Sequence, residues 1–170
     1  MQVCFIGHRT IEKTEELVSS LKNTVVSLIE KGATTFLFGS MSEFDSLSWE
    51  IVTALQKNYP HIKRVYVRST YPQIDEPYKE YLLEFYEETY FPPKLLNAGR
   101  SSYVERNYEM INQSTYCVFY YNEYYSPLKQ RSYNKLSQTK RNSGTKIAYT
   151  YAMKKNKEII NIYELRNSYK

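Results

Sequence analysis

Two glycine-bearing turns, far apart in the sequence, carry the residue types that can hold a phosphate. Thr34-Thr35-Phe36-Leu37-Phe38-Gly39-Ser40-Met41-Ser42-Glu43-Phe44-Asp45 runs from an apolar, β-like stretch through Gly39-Ser40 into a helical pattern. Asn142-Ser143-Gly144-Thr145-Lys146-Ile147-Ala148 sets Gly144-Thr145 directly before another. A helix start exposes backbone N–H groups that have no intrahelical partner, and a glycine there lets an anion approach them. The hydroxyls of Ser40 and Thr145 add donors. Arg106 can fork onto phosphate oxygens, and Asp45 can accept from a ribose hydroxyl. Each residue also has a plain structural role. Asp45 can cap its own helix, Arg106 can pair with Glu109, and Gly39 can simply permit a tight turn.

These residues need a frame. Val3-Cys4-Phe5-Ile6, closed by Gly7, reads as a strand buried on both faces. Apolar residues at helical spacing follow (Leu17, Leu21, Val25, Leu28, Ile29) and stop at Gly32. Phe36 to Phe38 predicts a second strand. The stripe Phe44, Leu47, Ile51, Leu55 predicts a helix started by Ser42 and stopped before Pro60. Val65 to Val67 predicts a third strand, ending at Arg68-Ser69. Tyr78 to about Glu88 reads as an amphipathic helix, broken by Phe91-Pro92-Pro93, and Leu95-Leu96 as a short extended piece. A helix from Ser102, a strand over Tyr116–Tyr121, a helix from Gly144 to about Lys155 and a strand over Glu158–Tyr163 complete the order.

The alternation predicts one α/β, Rossmann-like domain over residues 1–170: a mostly parallel sheet of about five strands with helices on both faces. Ligands of such folds bind beyond the carboxyl ends of the strands. Gly7, His8 and Arg9 after the first strand, Gly39-Ser40 after the second, Arg68 after the third and Gly144-Thr145 should therefore share one rim. Residues 122–143 form a polar stretch without periodicity, holding Lys129, Arg131, Lys135, Lys140 and Arg141. A basic insertion leading into a phosphate-type turn has the makings of a lid over an anionic ligand, or of a solvated loop.

Composition narrows the classes. A net charge of +5 is mild for a dedicated DNA binder, which makes a nucleic acid the less favoured partner and a small nucleotide ligand the favoured one. The 19 tyrosines offer faces for bases to stack on, or fill half-buried positions with their hydroxyls in water. No apolar run approaches a membrane span, and the first residues lack signal-peptide features, so a cytoplasmic protein is expected. Cys4 and Cys117 fall in strand-like runs and read as buried, reduced thiols. Two histidines, His8 and His61, and two distant cysteines suggest no metal site, and no cofactor is called for. A homo-oligomer is compatible with all of this.

In this order the motifs resemble a known superfamily. Phe5-Ile6-Gly7-His8-Arg9 resembles the opening Phe-x-Gly-His-Arg of the YpsA-like branch of the SLOG superfamily, named for Smf/DprA and Lonely Guy proteins. Phe38-Gly39-Ser40, followed by Phe44-Asp45 and Glu50, resembles its Gly-Gly-x-x-Gly-x-Asp segment and the acid after it. Arg106-Asn107-Tyr108-Glu109-Met110 resembles its Arg-Asn-x-x-Met helix, and Ser143-Gly144-Thr145-Lys146 its second glycine turn. The resemblance implies a Rossmann-like domain for nucleotides or ligands derived from them. Superfamily members include phosphoribohydrolases, sensors of cyclic ADP-ribose-type signals and loaders of single-stranded DNA. It also marks departures. The catalytic glutamate of the Lonely Guy pattern falls on Ala148; Asp45 and Glu50 are candidates to substitute for it in an N-glycosidase or deoxyribosyltransferase-like reaction, though nothing in the spacing demands it. Ser40 and Glu43 stand where glycines are usual, and a carboxylate at Glu43 would repel a phosphate unless it points away.

Overall fold

The computed structural model describes residues 1–39, 42–95, 99–125 and 143–167. Ser40, Leu96 and the lysines and arginines of the expected lid therefore lie outside the described residues. Strands β1 (Gln2–Gly7), β2 (Thr35–Phe38), β3 (Lys63–Val67), β4 (Glu88–Tyr90), β5 (Tyr116–Tyr120) and β6 (Glu158–Asn161) alternate with helices α1 (Glu15–Glu30), α2 (Glu43–Leu55), α3 (Glu76–Leu83), α4 (Arg100–Gln113) and α5 (Gly144–Lys154), and α6 (Ile162–Asn167) follows β6. Among the described residues the strands form one sheet in the order β4-β3-β2-β1-β5-β6, with every pairing parallel.

The sheet has six strands rather than about five. The extra one, β4, falls where the amphipathic helix was expected to end. That helix stops at Leu83 because its next residues are used otherwise. The Trp49 indole N–H donates to Phe85 O at 3.2 Å, and the Glu87 carboxylate takes the Arg64 backbone N–H at 2.6 Å. Three residues are too few to show a period, and β4 is held by its ladder to β3. The last strand also ends early: it stops at Asn161, and Ile162-Tyr163 begin α6.

The apolar residues divide over the two faces of the sheet. Val3, Phe5, Phe36 and Phe38 pack under α1 and α2, with Phe5 stacked between Phe36 (6.0 Å) and Phe38 (5.2 Å). Cys4, Ile6, Leu37, Val65 and Phe119 pack under α4 and α5, through Met110, Ile111, Ala148 and Ala152. Cys4 and Cys117 are register partners on β1 and β5, both buried and free, and burial raises the Cys4 thiol pKa. Gly7 ends β1 beneath α2, where a Cβ would stand 2.5 Å from the Phe44 side chain.

Each helix from α1 to α5 carries the chain from the carboxyl end of one parallel strand back to the amino end of the next. Their five N-termini therefore point to the carboxyl edge of the sheet. Strand order reverses at β1, which lies between β2 and β5, and this is the crevice where open parallel sheets take ligands.

Candidate functional site

Five helix starts face the carboxyl edge, and their first turns differ in charge. Thr14, Ser42 and Asp75 cap α1, α2 and α3 by accepting from Leu17 N, Asp45 N and Tyr78 N, and all three first turns carry carboxylates. The first turns of α4 and α5 carry none. In α5 the Ser143 hydroxyl accepts from Lys146 N, and Gly144 faces open space. Gly99 precedes α4 at φ +68°, a backbone that glycine adopts without strain, and gives the helix no side-chain cap. Helices α4 and α5 run parallel and pack side by side. The Tyr108 and Tyr151 rings stack at 3.9 Å, and the Tyr151 hydroxyl bonds Asn112 Oδ1 at 3.0 Å. Two acid-free helix starts thus sit together on one edge, where their dipoles add.

Around Gly39 the described side chains bond to one another and to the backbone. Asp45 is buried, and its Oδ1 accepts the Gly39 N–H at 3.2 Å. Glu43 Oε2 accepts the Ile11 N–H at 2.9 Å, pulling the loop after β1 onto α2. The Gly39 carbonyl accepts from Arg106 Nη1 at 2.6 Å. A Cβ on Gly39 would fall on the Arg106 guanidinium, so glycine is required here by a close approach. Arg106 is buried, donates also to Val67 O at 3.3 Å and from Nε to Asn107 Oδ1 at 3.0 Å. Burial lowers its pKa, and nearby Asp45 opposes that shift. Arg106 therefore ties the ends of β2 and β3 to α4.

At the crevice, His8 is only 2% exposed. The Asn122 backbone N–H, always a donor, gives its hydrogen to His8 Nε2 at 2.9 Å, with the Asn122 carbonyl 3.1 Å away. The neutral ring then carries its proton on Nδ1, which has no partner among the described residues. Burial lowers the His8 pKa from 6.5 to about 4, so the ring is neutral at pH 7. Tyr125 stacks on it at 3.9 Å and 9°, while its hydroxyl lies 3.0 Å from Thr10 Oγ1. Residues 122–125 are thus folded over the end of β1. Asn161 holds the base of this cover, accepting from Tyr121 N at 3.0 Å and donating to Tyr121 O at 2.9 Å.

The remaining candidates lie at the rim. Arg9 lines a cleft of about 570 Å³ with Lys13, Ser42, Glu43 and Glu50. Glu50 is exposed there and paired with Lys13 at 3.0 Å. Arg68 donates to Tyr71 O at 2.7 Å and organises its own loop. Thr145 is buried beside Gly144. Sequence reasoning paired Gly144 with Gly39 and passed over Gly99. The available signal was Gly99-Arg100-Ser101-Ser102, a glycine before a helical pattern with no acid in its first turn.

A family model named YpsA, described as the YspA SLOG family, matches residues 6–155. The chain belongs to this SLOG family. No curated protein matches it. Two solved structures show the same fold at low identity. DNA processing protein A (DprA) from Streptococcus pneumoniae has 15% identity and a TM-score of 0.52, covering 93% of this chain and 48% of its own. DprA from Helicobacter pylori, whose structure concerns single-stranded DNA binding, has 13% identity and a TM-score of 0.50, covering 99% and 79%. This SLOG chain spans about half the length of the pneumococcal protein. Among its described residues no helix is long and apolar enough to cross a membrane.

Proposed function

We propose that the chain binds a nucleotide or nucleotide-derived small molecule at the carboxyl edge, as a sensor or regulator. The observation that carries this reading is the pair of acid-free helix starts, α4 and α5, beside a crevice where a His8 ring nitrogen has no partner among the described residues. Phosphates suit the paired starts, with Gly99, Gly144 and Thr145 around them. The base or ribose would meet His8, Tyr125 and Arg9. Gly7, Gly39, Asp45, Arg68 and Arg106 serve the site by holding the strand ends and loops that shape it.

Binding is favoured over N-glycosidic catalysis by the state of the carboxylates. Asp45 is buried and bonded to Gly39 N, Glu50 is paired with Lys13, and Ala148 packs in the core under α5. A general acid or base needs reach to the bond it serves. The test is calorimetric titration with ADP, NAD and nucleoside monophosphates, with released base assayed in parallel. Saturable binding without released base is expected. Base release that disappears in Asp45→Asn or Glu50→Gln would replace this reading with the enzymatic one.

Single-stranded DNA is the second reading, motivated by the fold shared with H. pylori DprA and by the net charge of +5. Its signature is affinity that falls steeply with salt. A nucleotide held by a few backbone N–H groups gives a shallower dependence.

A further inference from the structure

Helix α3 buries little of itself in the core and carries a row of partly exposed aromatic rings. Leu82 is the only buried residue of α3. An eight-residue helix is marginal on its own and draws its stability from packing. Here most of its surface stays in water. Tyr78 is 40% exposed, Tyr81 53% and Phe85, just past the helix, 38%. Their spacing puts them along one side, and they form an ordered ladder. Tyr78 stacks on Tyr81 at 6.3 Å, and Tyr81 meets Phe85 edge-on at 5.3 Å. Together the rings offer a contiguous aromatic surface against which a partner can pack.

The charge around the ladder names the kind of partner. Residues 75–88 hold six carboxylates and one lysine, a net −5, in a chain whose total is +5. Glu87 and Glu88 are matched by Arg64 and Lys63 of β3. Glu80 and Glu84, on the exposed side of the helix next to Tyr81, have no partner among the described residues. Nucleic acid would be repelled by this acid, although its bases stack well on tyrosine. A guanidinium suits both features at once: it stacks on a ring face and pairs with a neighbouring carboxylate. The protein shows this arrangement on the same side, where Arg64 lies over the Trp49 ring at 5.3 Å while bonded to Glu87.

We infer that the Tyr78–Tyr81–Phe85 ladder, with Glu80 and Glu84, is a docking surface for an arginine-bearing segment of a partner protein. It begins at the α3 start and runs along α3, rather than lying at the α4 and α5 starts, and its test does not depend on nucleotide binding there.

Trp49, the single tryptophan, supplies the readout. Its ring lies 6.3 Å from Phe85 and its indole N–H donates to Phe85 O. The full chain is titrated with a short arginine–glycine peptide while Trp49 emission is followed. A glutamate–glycine peptide and a single-stranded thymidine oligonucleotide are run alongside. The expected result is a saturable response to the arginine peptide alone, weakened by salt. Affinity should drop about tenfold in Tyr81→Ser and in the double variant Glu80→Gln/Glu84→Gln, since aromatic anchors dominate such contacts. Both variants change exposed side chains, and unaltered thermal unfolding would show that they fold. No response, or a response the variants leave intact, would overturn the assignment. A response to the oligonucleotide instead would hand the surface to nucleic acid. Self-association in sedimentation that is lost in Tyr81→Ser would make a second copy the occupant and equally overturn it.

Discussion

At the level of single residues, His8 and Arg106 have the sharpest consequences. His8 is buried neutral, with a folded pKa of about 4 against 6.5 unfolded. Above pH 6.5 both states leave it neutral and it adds no pH dependence. Between 6.5 and 4 the unfolded chain takes the proton first, so stability falls with falling pH, by up to about 3 kcal/mol. Urea unfolding at pH 7 and pH 4.5 should show this loss, and His8→Phe, which keeps a ring against Tyr125, should show less of it. An equal loss in the variant would mean that His8 is not the group responsible. Arg106 joins Gly39 O and Val67 O inside the protein. Arg106→Ala should cost about 2–4 kcal/mol of folding stability, from two carbonyls that each lose a buried charged donor. A drop below about 0.5 kcal/mol, the scale of an indifferent surface change, would contradict the buried role. The sequence pointed to both residues through their motifs. It did not show what they touch, because partners such as Asn122 and Val67 are distant in the chain and come near only when the sheet closes.

At the level of elements, the distinction that matters is which helix starts are free of acid. Glu43 and Asp45 stand in the first turn of α2, whereas the first turns of α4 and α5 carry no carboxylate. A carboxylate introduced there should act in opposite directions on folding and on binding. Ser101→Glu and Gly144→Glu each place a negative charge in a first turn, which favours the helix by about 0.3–1 kcal/mol. The same charge should weaken a phosphate ligand at least tenfold, the scale of a charged hydrogen bond lost. Thermal unfolding and calorimetry on the same samples read the two effects. Lower stability together with weaker binding would indicate mere damage. Gly99 was missed in the sequence because two prolines and an apolar pair precede it, which read as a break rather than as the approach to a helix. Strand β4 was missed because three residues carry no periodicity, and its identity comes from the ladder to β3.

At the level of the whole molecule, the parallel α/β plan was legible from alternating apolar runs and helical stripes. Val3–Ile6, Phe36–Phe38 and Val65–Val67 are each bounded by turn residues, and each became a strand of the sheet. The strand order was not legible, because crossing from β4 back past β1 to β5 depends on which faces α4 covers rather than on local pattern. That crossing creates the crevice at β1 and brings the starts of α4 and α5 together. The central claim is that these two starts jointly hold a nucleotide's phosphates. Isothermal titration with ADP at moderate salt, comparing the wild-type chain with Ser101→Glu, Gly144→Glu and the double variant, tests it most directly. Saturable binding to the wild type, weakened by either change and lost in the double variant with folding intact, is the expected result. Binding that survives both substitutions, or a wild-type chain that binds no nucleotide of the panel, would contradict it.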